Sequence, residues 1–131
     1  MQADDPIAIV RAWQEAANDQ DSERLLALSD PEIELVGPRG SVRGHAPLHD
    51  WLGRAGLRLT TLRTFARGPV VVAAQRGVWH SPETGEVVGE ALVASRFRVV
   101  AGRVAQFARH DSLGAALAEA GLGDEDEVRT G

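Results

Sequence analysis

The second half of the chain carries four consecutive strand patterns, and this region constrains the fold more than any other feature. Strand-forming residues cover about 57–67, 69–80, 87–100 and 103–110. The segments between them at 81–85 and 101–102 each offer a glycine suited to a tight turn. This spacing predicts a meander of long antiparallel strands, and the apolar face of such a sheet must be covered by another layer.

Three helical patterns precede the meander and can supply that cover. Asp5 and Pro6 are typical of an N-cap followed by proline at the first helical position, and apolar residues then repeat at helical spacing. Asp21 can cap a short second helix, and a third begins near Pro47. Helices followed by a meander predict an α+β fold.

Shorter elements complete the domain. Residues 32–36 alternate polar and apolar, which is typical of a half-buried strand, and 41–43 can pair back on them. A last helix precedes Gly121, which fits a C-terminal cap. We therefore expect a single domain over residues 1–122. The remaining 123–131 are strongly acidic and are expected to form a solvated, disordered tail.

Composition limits the chemistry. The formal net charge of −5 disfavours nucleic acid and anionic membranes as partners. The sequence has no cysteine, lysine or tyrosine, which excludes thiolate, Schiff-base and phenol chemistry. No apolar run reaches the ~18 residues of a membrane helix, and the acidic N-terminal segment lacks the apolar core of a signal peptide. We expect a cytoplasmic protein, and the rich use of alanine, glycine, valine and arginine indicates a bacterial one.

Four stretches, in this order, carry a resemblance to a known superfamily. They are the first helix with its exit at 18–21, the step from a leucine-rich turn to a strand at 25–36, the glycine-then-helix segment at 43–51, and the hairpin at 97–107. Together they resemble the nuclear transport factor 2-like superfamily, which includes SnoaL-like polyketide cyclases, ketosteroid isomerases and limonene epoxide hydrolase. The resemblance implies a cystatin-like cone, with N-terminal helices packed in a curved antiparallel sheet and a pocket at the open end.

The resemblance also indicates which catalytic groups of the isomerases are replaced here. The position of their first-strand base falls on Leu35 or Val36, that of their oxyanion tyrosine on Trp13, and that of their oxyanion carboxylic acid near Ser95. The carboxylate base, the tyrosine and the carboxylic acid are all missing at these positions, so steroid-isomerase chemistry is not expected.

The end of the last strand holds the candidate catalytic residues His110, Asp111 and Arg109. The histidine and aspartate of SnoaL-like cyclases match an aromatic residue and Arg109, and His110 and Asp111 follow directly. A histidine beside a carboxylate suits acid/base catalysis, although adjacent strand residues point to opposite faces and Asp111 also suits a helix cap. Arg109 can bind an anionic group or form an ion pair with Glu90 or Glu34.

Apolar side chains are expected to line the pocket, with a few polar groups among them. The predicted ligand-binding residues are Trp13, Leu35, Trp51, Gln75, Trp79, Ser95, Phe97 and Phe107. The same residues also suit an ordinary core. His45 and His49 have the spacing of a metal-binding pair, but no third ligand is apparent, and we expect neither a metal nor an organic cofactor.

Two functions fit these residues. The first is a binding module for a small apolar molecule, without catalysis; the missing first-strand carboxylate favours it. The alternative is a cofactor-independent isomerase, cyclase or hydrolase acting on a polyketide- or terpenoid-like substrate; the polar group at 109–111 favours it. Strands that are apolar on both faces also predict a homodimer through the sheet face.

Overall fold

The computed structural model describes residues 5–37, 40–55, 57–81 and 83–128. The helices in these residues are α1 (Pro6–Asn18), α2 (Ser22–Ala27), α3 (His45–Ala55) and α4 (Leu113–Ala120). None of them is long and apolar enough to cross a membrane.

Side-chain caps set where the helices begin. Asp5 accepts a hydrogen bond from a backbone N–H in the first turn of α1, and Asp21 does the same for α2. Ser112 rather than Asp111 caps α4, and Gly121 ends that helix with a left-handed φ of +73°. Each cap satisfies a backbone group that the first or last turn leaves without a partner.

In the described residues, seven strands form one curved sheet in the order β2-β1-β6-β5-β4-β3-β7. Their bounds are β1 (Ser29–Gly37), β2 (Gly40–Arg43), β3 (Leu57–Arg67), β4 (Val70–His80), β5 (Val87–Val100), β6 (Arg103–His110) and β7 (Glu127–Val128). The expected meander β3–β6 is antiparallel throughout. The sheet as a whole is mixed, because β1 pairs with β6 in parallel. The chain between those two strands is long enough for the crossover that a parallel pair requires.

The two faces of the sheet are covered by different helices. On the inner face, α1 packs against inward residues of β4 and β5 such as Val71 and Phe97, and α3 packs against β1 and, through Trp51, against Phe107 of β6. On the outer face, α4 covers Phe65, Val72 and Ala94. The double-sided apolar pattern of β4 and β5, which suggested a partner subunit, is therefore explained in this part of the sheet by α4.

The acidic C-terminal segment does not form the free tail that its composition predicted, as far as residue 128. Asp124–Asp126 form a 3-10 turn, and β7 pairs with β3 at Thr64 and Phe65. Arg63 and Arg67 on β3 each bind a carboxylate of this segment through two nitrogens. The acidic run that suggested a solvated tail instead supplies ion-pair partners for a basic strand, and residues 129–131 lie outside the described part of the chain.

Candidate functional site

Four aromatic side chains meet inside the cone. Trp13 on α1 lies 6.0 Å from Trp51 of α3, 5.5 Å from Phe97 of β5 and 5.0 Å from Phe107 of β6, measured between ring centroids. Trp13 and Phe97 are fully buried, whereas Trp51 and the neighbouring Leu35 are only partly buried against this cluster. The cluster forms the core of the cone, and Trp51 and Leu35 are its accessible members.

A chain of polar side chains crosses the inner face beside this cluster. Ser95 Oγ on β5 donates to Gln75 Oε1 on β4 at 2.6 Å. Gln75 Nε2 donates to Gln14 Oε1 on α1, and Thr61 Oγ1 on β3 donates to the same oxygen at 2.8 Å. Gln14, Gln75 and Ser95 are each more than nine-tenths buried. Burying several polar groups is tolerated here because they satisfy one another.

Arg109 lies next to this polar chain. It is the register partner of Ser95, and its guanidinium carbon lies 5.8 Å above the centre of the Trp79 ring. Trp79 in turn packs on Leu59 and Val93. An arginine on a tryptophan face gains from cation–π attraction while its N–H groups stay free for other acceptors.

Within the described part of the chain, no carboxylate lies within ion-pair distance of Arg109. The two glutamates that were expected as partners bind other residues. Glu90 forms an ion pair with Arg76. Glu34 accepts a hydrogen bond from the Gln106 amide, and its Oε2 lies 3.8 Å from Arg43 Nη2. The interpretation of Arg109 as half of a structural ion pair is therefore wrong. We name the group of Arg109, Trp79, Ser95, Gln75 and Gln14 the inner-face site.

His110 lies on the other face of β6. Its Nε2 is 3.4 Å from Arg96 Nε, and Arg96 also donates to Gln106 at 2.7 Å. Burial lowers the pKa of His110 below its usual value, and the positive charge of Arg96 lowers it further. On the same strip, the hydrogen bond from Gln106 lowers the pKa of the Glu34 carboxyl. Adjacent residues on a strand alternate between faces, so the structure does not bring His110 together with Arg109.

The remaining candidate residues, Asp111 and His45, lie outside the inner-face site. Asp111 is exposed just before the capping residue of α4. His45, expected to precede the regular helix, is the first residue of α3, and its Nε2 lies 3.1 Å from the Ser29 carbonyl oxygen. Across residues 5–37, 40–55, 57–81 and 83–128, no three His, Asp or Glu side chains gather in a group that could hold a metal ion.

Sequence reasoning missed two members of the polar chain, Gln14 and Thr61. Gln14 could have been identified from its position next to Trp13 on α1, because a glutamine is unusual on the buried face of a helix.

A separate surface cleft of about 430 Å³ lies at the other end of the strands, lined by Asp5, Pro6, Gly68, Pro69, Val99, Ala101 and Gly102. It contains none of the expected site residues.

Comparison of the sequence with models of known protein families identifies the family of this chain. The family model of the SnoaL-like domain matches residues 10–107, which is most of the chain. The chain belongs to the SnoaL-like domain family. It is thereby a member of the nuclear transport factor 2-like superfamily, as its order of elements indicated. No curated protein matches this SnoaL-like chain in sequence.

Solved structures share the fold of this SnoaL-like domain at low sequence identity. TerC co-crystallised with polyporic acid is 20% identical with a TM-score of 0.71, over 87% of this chain and 95% of that one. An NTF2-like protein of unknown function from Burkholderia pseudomallei is 18% identical with a TM-score of 0.70, over 90% and 97%. A protein with a ketosteroid isomerase-like fold from Catenulispora acidiphila, in complex with trimethylamine, is 19% identical with a TM-score of 0.67, over 89% and 95%. Identities this low establish the fold alone.

Proposed function

We propose that this SnoaL-like domain binds a small, mainly apolar molecule that carries an anionic or strongly polar oxygen. The observation that supports this function is Arg109, which lies over Trp79 on the inner face with no acidic partner among the described residues. Trp79 in turn packs on the apolar side chains of Leu59 and Val93. A ligand ring would pack on these side chains and place its oxygen on the guanidinium.

The rest of the inner face supports binding rather than structural use of this charge. Arg109 is exposed, so its guanidinium remains hydrated and needs no buried counter-ion. Stacking on Trp79 restrains a side chain that would otherwise be mobile, which lowers the entropy lost when a ligand binds. TerC, which shares the fold, was co-crystallised with polyporic acid, and this gives one precedent for pairing a protein of this fold with an organic acid.

The proposal is tested with two fluorescent probes that differ in one charged group. These are 8-anilinonaphthalene-1-sulfonate and its uncharged counterpart N-phenyl-1-naphthylamine. We expect both to bind the wild-type protein with saturation. Arg109→Met should weaken the sulfonate probe by about tenfold or more, because a charge-assisted hydrogen bond is lost, and should leave the neutral probe unchanged.

Arg98→Met is the matched control, since Arg98 is also an exposed arginine of the same sheet and its loss changes the net charge equally. It should leave both affinities unchanged. If neither probe binds with saturation, or if both substitutions weaken the sulfonate probe equally, the proposed function is wrong.

Catalysis is the less favoured function. Acid/base chemistry needs a titratable group within hydrogen-bond reach of the substrate. His110 occupies the face opposite Arg109 and is engaged with Arg96, and Asp111 is exposed before α4. His110 therefore does not share a face with Arg109, and no ion pair joins Asp111 to Arg109 among the described residues, so we favour the binding module.

We also propose that the domain forms a homodimer through the outer sheet face beyond α4. Leu92 shares that face with Ala94 and is 70% exposed. The Arg76–Glu90 pair lies beside it, and a two-fold axis would set such opposite charges against each other across the interface. Sedimentation should show a dimer that Leu92→Glu dissociates and that Val42→Glu, an exposed apolar control on β2, leaves intact. A wild-type monomer at micromolar concentration would contradict the dimer.

The cytoplasmic location and bacterial origin stay predictions from composition.

A further inference from the structure

The polar chain of the inner-face site has a direction, which the chemistry of its atoms fixes. The Ser95 hydroxyl lies 2.6 Å from Gln75 Oε1, and the Thr61 hydroxyl lies 2.8 Å from Gln14 Oε1. An amide oxygen carries no proton and can only accept a hydrogen bond. The two hydroxyls therefore donate to the amide oxygens of Gln75 and Gln14.

This direction fixes the orientation of both amides. Because Gln75 Oε1 accepts from Ser95, its Nε2 is the atom that donates to Gln14 Oε1. The Gln14 oxygen thus receives two donors, from Gln75 and Thr61, and its amide group can only turn Nε2 away from them.

Gln14 Nε2 has no hydrogen-bond acceptor in the described part of the chain, although the residue is only 7% exposed. Every fully buried side-chain nitrogen or oxygen among the described residues has a partner. The free amide nitrogen therefore keeps contact with open space, from which an acceptor atom can reach it. The polar chain ends in an N–H donor held in a fixed place.

We propose that the inner-face site selects ligands with a carbonyl oxygen, which accepts a hydrogen bond from Gln14 Nε2. The proposal rests on the proposed binding function and adds a specificity-determining residue to it. Arg109 is the second donor, and a guanidinium has no acceptor atom. Apart from the hydroxyl oxygens of Ser95 and Thr61, the free polar groups at this face are donors, so a ligand that lacks an acceptor would leave them unpaired and bind less well.

The experiment compares two uncharged fluorescent compounds that differ in one oxygen. The first is 6-propionyl-2-(dimethylamino)naphthalene, whose emission moves to longer wavelength when its carbonyl accepts a hydrogen bond. The second is 2-dimethylamino-6-propylnaphthalene, which has no carbonyl. We expect the wild-type protein to bind the ketone at least about fivefold more tightly, since one hydrogen bond distinguishes the two compounds.

Two substitutions test the role of the amide chain. Gln14→Glu keeps the oxygen that Thr61 and Gln75 donate to and removes the N–H group. Gln75→Glu removes the donor to Gln14, so that the Gln14 amide turns its nitrogen to the new carboxylate and presents its oxygen to the ligand. In both variants the preference for the ketone should fall below twofold and its emission should move to shorter wavelength.

Gln20→Glu is the control, because it makes the same chemical change at an exposed residue after α1. It should keep the wild-type preference, and circular dichroism should confirm that all three variants are folded. Equal wild-type affinity for both compounds, or a preference that survives in both variants, overturns the role of Gln14 and leaves the proposed function standing. If neither compound binds the wild-type protein, the binding function itself fails and this inference fails with it.

Discussion

Trp13 on α1 forms a buried hydrogen bond with Ser29 at the start of β1, and the contribution of this bond to stability can be measured. The indole Nε1 donates to Ser29 Oγ at 2.9 Å, and the Ser29 hydroxyl donates to the Leu25 carbonyl oxygen at 2.7 Å. Trp13 and Ser29 are each only 1% exposed. Together they join the middle of α1 to the end of α2 and the start of β1. Trp13→Phe removes the N–H group and keeps an aromatic ring in place.

The expected loss of stability can be worked from these contacts. Without the indole N–H, the buried Ser29 oxygen loses its donor, which costs about 1–3 kcal/mol. The phenyl ring also buries roughly two carbons fewer than the indole, which costs about 0.8 kcal/mol for each. The free energy of unfolding should therefore fall by about 2.5–4.5 kcal/mol. A domain of this size has about 5–15 kcal/mol in total, so the variant should still fold.

Urea unfolding of Trp13→Phe, Ser29→Ala and the double variant provides the test. Both single substitutions remove the same bond, so the double variant should lose about 1 kcal/mol less than their sum. Trp13→Phe should also leave the affinity for the sulfonate probe within about twofold, since the indole nitrogen is satisfied inside the core. Additivity within about 0.3 kcal/mol would refute the coupling, and weakened probe binding would return Trp13 to the ligand site.

Three further predictions follow from other parts of the fold. Folding lowers the pKa of His110, so as pH falls the unfolded chain takes up a proton at this residue before the folded protein does. The free energy of unfolding should therefore fall as pH drops below 6.5. His110→Asn should remove this contribution to the pH dependence of the free energy of unfolding. Arg67→Gln should loosen the C-terminal segment and speed hydrogen exchange at the Val128 amide, whereas Arg58→Gln, at an exposed arginine of the same strand, should not. Ala101 has a left-handed φ of +52°, so Ala101→Gly should raise the free energy of unfolding by about 0.5–1 kcal/mol in the same urea assay, and an unchanged value would contradict strain at this turn.

Elements encoded by local signals were predictable from the sequence. The caps at Asp5 and Asp21 and the left-handed Gly121 act within a few residues of chain, and the structure places each as expected. The turn at 101–102 has positive φ at both residues, as a two-residue hairpin requires. Because short turns also fix which strands are neighbours, the meander from β3 to β6 could be derived without any resemblance.

Features that depend on distant parts of the chain were not predictable in the same way. The parallel pairing of β1 with β6 joins residues about seventy positions apart, such as Leu35 and Phe107, and no local pattern encodes it. The docking of Glu127 on Arg63 likewise depends on the final position of β3. Strand alternation did predict that Arg109 and its neighbour His110 would separate, but only the register with β5 shows that Arg109 is the inward one.

The chemistry of the inner-face site now favours recognition over proton transfer. Its polar members are two amides, a serine hydroxyl and a guanidinium, and these groups recognise a ligand through hydrogen bonds. His110, which follows Arg109 on β6, lies on the opposite face of the sheet and contacts Arg96. Donors in a fixed orientation can align an acceptor without exchanging protons with it. A cone whose core is aromatic and whose accessible polar groups donate hydrogen bonds is thus suited to hold an oxygen-bearing ring compound in one orientation.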